Sequence, residues 1–177
     1  MRYVIVGTSG AGKSTFAAAL AQATGSPHIE LDALYWGPGW AAVPHAQFEA
    51  RVREATEGDC WVADGNYTAV REVLWARATH IVWLNYGRST VFPRVLWRTL
   101  SRGLLRSQLA HGNRESLRMA FFSRESVLWW SYTTFARNRV KFAGLRDDAA
   151  YAHLQWTELT RPAQARGFIQ QHSAHAV

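Results

Sequence analysis

Cysteine, lysine and long apolar runs are all scarce in this chain, and each scarcity excludes something. Cys60 is the single cysteine, so no disulfide can close within the chain and a reducing compartment suits it best. Its apolar neighbourhood beside Trp61 predicts a core position. Lys13 and Lys141 are the only lysines. A guanine-specific switch needs a Lys two residues before an Asp, and these two are followed by Ser-Thr and Phe-Ala, which sets that class aside. No apolar run approaches the roughly 18 residues of a membrane helix, and no signal-type segment precedes the first strand pattern. A cytoplasmic protein with no membrane partner is the expectation. Helix-turn-helix, zinc-finger and RNA-binding signatures are missing, as is the signature motif of a transport ATPase, and no internal repeat or low-complexity tract occurs.

What is present suits one globular domain over residues 1–177, with 48% hydrophobic residues and 13% aromatics. The net charge of +7 is unevenly placed. Residues 1–87 hold six basic and eight acidic groups, a net of −2, and residues 147–177 hold two and three, a net of −1. Residues 88–146 hold eleven Arg and Lys141 against Glu115 and Glu125, a net of +10, which is where an anion would be held.

The most informative stretch is Gly7-Thr8-Ser9-Gly10-Ala11-Gly12-Lys13-Ser14-Thr15, a complete G-x-x-x-x-G-K-[ST] phosphate loop. It follows the β-forming run Arg2–Val6 and leads into the Ala-rich helix former Thr15–Ala23. Glycines let successive N–H groups converge on phosphate oxygens, and the helix adds about half a positive charge at its start. Lys13 is placed to reach the β and γ phosphates, and the Ser14 hydroxyl to reach Mg²⁺. A donor nucleotide and Mg²⁺ are therefore expected.

Further along, His28–Leu31 reads as a short strand ending at Asp32. The Gly and Pro of Ala33–Trp40 argue against regular structure there, and its aromatics suggest a pocket wall. An amphipathic helix opens at Pro44, and Cys60–Ala63 reads as a strand buried on both faces, running into Asp64-Gly65-Asn66-Tyr67. A short helix through Val70 and Trp75, a strand over 79–84 ending at Asn85, a helix over 90–106, another over about 114–139, a strand over 154–159 and a last helix from Pro162 complete the pattern. Strands alternating with helices predict an α/β fold with a parallel sheet covered on both faces and its ligand at the strands' carboxyl ends. Arg94, Arg98, Arg102 and Arg106 share one helical stripe, which would face either an anion or solvent.

Four segments together carry a resemblance: the loop at 7–15, His-Ile-Glu-Leu-Asp-Ala-Leu-Tyr-Trp at 28–36, Trp-Val-Ala-Asp-Gly-Asn-Tyr at 61–67 and Gly-Asn-Arg-Glu-Ser at 112–116. From about Tyr3 to Phe168 the chain resembles the adenylate-kinase-like P-loop proteins often labelled DNA topology modulation proteins. The resemblance implies a three-layer, nucleoside-monophosphate-kinase-like fold with a five-stranded parallel sheet, ATP, Mg²⁺ and an arginine-bearing lid, here residues 107–124. It implies that Asp64 serves the metal, that Asp32 contacts the acceptor, and that Arg114, Arg118 and Arg124 neutralise the transferred phosphoryl group. The family places an Asp, and two residues later a Pro, after the fourth strand. Here stand Asn85, Tyr86 and Gly87.

Plainer roles compete with some of these. Asp64 could cap the helix after Gly65, and Asp32 could brace the aromatic loop. Trp36, Trp40 and Tyr67 could stack on a nucleobase or fill the core. Arg51 and Arg71 would serve a phosphorylated acceptor. The expectation is an ATP-dependent phosphotransferase acting on a nucleotide, nucleoside or metabolite hydroxyl. The alternative is an ATP-binding protein associated with nucleic acid, with little or no kinase activity. Trp97, Trp129 and Trp130 leave an apolar contact surface open, without fixing an oligomeric state.

Overall fold

Five short runs rich in Val, Ile, Trp and Ala become the strands of one sheet: β1 Arg2–Gly7, β2 His28–Glu30, β3 Trp61–Asp64, β4 His80–Leu84 and β5 Gln155–Leu159. The computed structural model describes residues 1–105 and 127–173. All pairings are parallel, in the order β2-β3-β1-β4-β5. The chain leaves central β1 for β3 and β2 on one side, then crosses to β4 and β5 on the other. That reversal opens a crevice at the carboxyl end of β1, where the Gly7–Thr15 loop stands.

The helices are α1 Lys13–Thr24, α2 Leu31–Tyr35, α3 His45–Ala55, α4 Arg71–Arg77, α5 Arg88–Leu105, α6 Val127–Arg146 and α7 Pro162–Ser173. Side-chain alternation along β1 splits the core into two layers. Tyr3 and Ile5 face Phe16, Leu20, Val91, Val95 and Phe135, whereas Val4 and Val6 face Phe48, Val52, Leu74, Trp75 and Phe142. Trp61, Tyr3 and Phe48 are almost wholly buried, each stabilising the fold by about 2–3 kcal/mol through burial. The result is the expected α/β architecture with a five-stranded parallel sheet and helices on both faces.

Four local expectations need correction. Cys60 is exposed, because β3 begins one residue later, where Trp61 enters the register opposite Arg2. Residues 33–40 are not irregular throughout: α2 closes one helical turn over 31–35, a 3₁₀ turn spans Pro38–Trp40, and Trp36 bridges to Ala42. Gly39 makes this possible by taking φ = +67°. Asp32 therefore sits in the first turn of α2 rather than at a strand end. Helix α5 starts at Arg88, two residues early, and tolerates Pro93 in its second turn; α6 runs on to Arg146. The expected lid, residues 107–124 with Arg114, Arg118 and Arg124, lies outside the described residues.

Candidate active site

The phosphate loop is shaped by what its glycines allow. Gly10 and Gly12 take φ of +81° and +89°, so the backbone curls where a side chain would be strained. A Cβ on Gly10 would collide with Val95 Cγ2, so the loop is pressed onto α5. Helix α1 then starts at Lys13 with Gly12 as its cap and no side-chain cap, which leaves the first-turn N–H groups for an anion. Lys13 Nζ donates to the Thr8 carbonyl at 3.3 Å across the loop. The Thr8 hydroxyl is buried without a partner, a polar group that a bound phosphate oxygen would satisfy. This cradle fits a nucleotide's phosphates.

Asp64, the last residue of β3, meets the loop directly. The Ser14 hydroxyl donates to Asp64 Oδ2 at 2.7 Å, and His28 Nε2 lies 2.9 Å from Oδ1. Asp64 is 5% exposed, so a carboxylate is held beside the first turn of α1 by two polar partners. One hydroxyl and one carboxylate oxygen match Mg²⁺, which takes few protein ligands and completes its shell with water and phosphate oxygens. No side chain caps α4. The competing role of Asp64 as a helix cap therefore finds no hydrogen bond here.

The next three residues tie two halves of the site together. Gly65 adopts φ = +143°, and a Cβ there would sit 2.9 Å from Leu31 Cβ, which lets the chain turn close beneath α2. Asn66 then grips the start of the loop with both ends of its amide, accepting from Gly7 N at 3.3 Å and donating to Gly7 O at 2.6 Å. Tyr67 reaches the other way and donates to Asp32 Oδ1 at 2.6 Å. Burial and the Asp32 carboxylate push the Tyr67 phenol far above its ordinary value, so it remains a donor. Its ring packs on Tyr35 and Phe48, with centroids 4.8 and 5.1 Å apart.

Other expected residues are placed differently. Trp36 packs edge-on against Tyr35 and Trp40, so it builds the aromatic wall over α2. Arg51 donates to the Leu34 carbonyl at 3.1 Å, bracing that wall. Arg71 opens α4 with its guanidinium over Trp75 and a hydrogen bond to Thr68. Arg94, the first of the arginine stripe, folds back to donate to Ala11 O at 3.3 Å while lying over the Tyr86 ring. Asn85, just after β4, donates to Glu158 Oε1 at 2.6 Å, and Arg146 pairs with the other oxygen of Glu158 at 3.0 Å.

His28, Asn66, Lys141 and Glu158 were not anticipated as site residues. Asn66 carried a usable signal, since it is polar just past the carboxyl end of the apolar strand β3, whereas Glu158 lies within the more polar β5. His28 and Lys141 reach the site only through strand register and helix packing.

No protein-family model matches the chain, and no curated protein matches it. Among solved structures it is similar to a shikimate kinase from Bacteroides thetaiotaomicron, with 17% identity and a TM-score of 0.57 over 97% of this chain and 95% of that one. It is also similar to an inferred kinase from Chloroflexus aurantiacus, with 17% identity and a TM-score of 0.54 over 98% and 97% of the two chains. With the phosphate loop at the end of β1 and the parallel order β2-β3-β1-β4-β5, these likenesses give the chain the α/β fold of the P-loop kinases.

Proposed function

We propose that the chain is an adenylate-kinase-like phosphotransferase that moves the γ-phosphoryl group of ATP to a hydroxyl of a small acceptor. The observation that carries this reading is the 2.7 Å contact between Ser14 and Asp64. A loop that merely linked strand to helix would need no buried carboxylate at its first helical hydroxyl. Residues Gly7–Thr15 would hold the phosphates, with Ser14 and Asp64 holding Mg²⁺ and its water shell. When bound, the metal supplies charge neutralisation on the phosphate oxygens.

The acceptor enters beside Asp32, which Tyr67 fixes in one orientation. Asp32 accepts the hydroxyl proton as the acceptor oxygen bonds to the γ phosphorus, and the bond to the β–γ bridging oxygen breaks, releasing ADP. Lys13 follows the charge that develops on the phosphates, and Arg114, Arg118 and Arg124, carried over from the resemblance, would help neutralise it. The narrower topology-modulation role with nucleic acid draws on the arginine stripe, yet Arg94, its first member, is already engaged on Ala11 and Tyr86. No helix among the described residues is long and apolar enough to cross a membrane. The test is ADP release with a panel of nucleoside monophosphates, nucleosides, sugars and hydroxy acids. Lys13→Ala should lower turnover by roughly 10²–10³ with the fold intact, and unchanged turnover in that variant refutes the reading.

A further inference from the structure

His28 opens the edge strand β2, and strand register carries its ring to the buried carboxylate of Asp64. Val62 packs with Phe16 and Leu20 of α1, Asp64 meets Ser14 of the same helix, and His28 pairs with Val62 across the β2–β3 ladder. The two-residue period of a strand then puts the His28 side chain on that same face. Its backbone is held in place, since Val62 N donates to the Pro27 carbonyl at 2.9 Å. From here Nε2 reaches diagonally to Asp64 Oδ1 at 2.9 Å, across 36 positions of sequence. The two side chains are 18% and 6% exposed, so the contact is largely shielded from water.

A carboxylate only accepts hydrogen bonds, so Nε2 carries the hydrogen of this contact. The ring can present that N–H whether neutral or charged, and the contact therefore does not depend on titration. An aspartate carboxylate turns about a broad, roughly two-fold torsion, and a single bond from Ser14 to Oδ2 leaves its plane loosely set. The second bond, on Oδ1, fixes that plane. With both in place, the lone pairs that remain on Asp64 keep one direction, which is what a metal and its water shell must meet.

We propose that His28 is a positioning residue of the phosphoryl-transfer site, fixing the Asp64 carboxylate in the orientation that serves the metal. It acts through Asp64 rather than on the nucleotide. This rests on the phosphotransferase reading, because it takes Ser14 and Asp64 as the metal-holding edge. Partners that hydrogen-bond a ligating carboxylate set metal affinity by about 10- to 100-fold. Strand β2 is the last strand on its side of the sheet, so a substitution at His28 probes the contact without opening the core.

The test is calorimetric titration with a non-hydrolysable ATP analogue, once with saturating Mg²⁺ and once in EDTA. Wild type is compared with His28→Phe, which keeps a ring without the donor, and with His28→Gln, which keeps a donor without the ring. Thermal melts show that each is folded. Mg²⁺ should tighten the analogue on wild type, His28→Phe should cut that gain about tenfold, and His28→Gln should keep it within about threefold, with EDTA affinity unmoved in both. A merely structural role would lower the EDTA affinity as well. The proposal is overturned if wild type shows no gain from Mg²⁺, if His28→Phe keeps the full gain, if its EDTA affinity falls, or if His28→Gln is as damaged as His28→Phe. A gain lost in His28→Phe and kept in His28→Gln, without phosphoryl transfer to any hydroxyl compound, refutes the phosphotransferase reading alone. Transfer by wild type, with the full Mg²⁺ gain retained in His28→Phe, refutes the positioning role alone.

Discussion

Asn66→Ala cuts the one side-chain tether between the β3 turn and the start of the phosphate loop. The variant leaves the buried Gly7 N–H and C=O without the amide that now pairs with both, at 3.3 and 2.6 Å. An unpaired buried backbone group costs about 1–3 kcal/mol. Asn66 is only half-buried, so water can reach part of the vacated space, which places the sum near the lower end, about 2–3 kcal/mol. For a chain of this size that corresponds to a fall in Tm of about 4–12 °C. The released loop must also be ordered again by its ligand, so ATP affinity should fall about tenfold. Tyr67→Phe is the control. It removes the exposed hydrogen bond to Asp32, costs less than about 1 kcal/mol in stability, leaves ATP affinity unchanged and lowers acceptor turnover. Urea denaturation and ATP calorimetry on both variants decide the matter. The reasoning fails if Asn66→Ala changes stability by less than about 0.5 kcal/mol with ATP affinity intact, or if the two variants weaken ATP equally.

Two further predictions follow from titratable groups. The Lys141 amine is lowered from its ordinary 10.5 by burial first, and by Arg71 and Arg137 second, so the unfolded chain binds that proton more readily. Stability associated with it rises as pH climbs from the depressed value towards 10.5, and the charged lysine is a cost at neutral pH. Lys141→Met should therefore raise Tm at about pH 7, and a lower Tm contradicts this. His80 is lowered from 6.5, first by burial and then by the nearby amino group of Met1 and by His172, against a hydrogen bond that its ring donates to Gln155 and that raises it. Stability should fall as pH drops from 6.5 towards that depressed value, and His80→Gln should flatten the loss; urea midpoints at about pH 7.5 and 5.5 would show equal slopes if this is wrong.

Most of the architecture was legible because period and punctuation agree in this chain. Apolar strands of four to six residues, such as Trp61–Asp64 and Arg2–Gly7, end at polar or glycine-rich turns, and that pattern leaves few parallel alternatives. The loop at 7–15 and Asp64 stand out for the same reason, each at the end of an apolar strand, whereas Asp32 lies in the first turn of α2. What escaped depends on distance in three dimensions. Cys60 looked apolar in sequence, yet the register opposite Arg2 starts one residue later. The 31–35 helix was hidden because Gly37, Pro38 and Gly39 dominate that stretch, although they act only after its single turn has closed. Arg94 read as one charge of a stripe, and only the packing of α5 on the loop turns it towards Ala11. Asn85 looked like a lost acid because its partner, Glu158, lies on a strand 73 residues away.

The central claim is that the Ser14–Asp64 edge and Asp32 belong to one phosphoryl-transfer site. The most direct test is ³¹P NMR of ATP and Mg²⁺ incubated with the protein and a mixture of small hydroxylated acids, sugar phosphates, nucleosides and nucleoside monophosphates. A new phosphorus resonance should appear on one acceptor, in step with ADP, and should vanish in Lys13→Ala and in Asp32→Asn. Absence of any phosphorylated acceptor with the folded, ATP-binding protein, or product formation unaffected by either substitution, would contradict it.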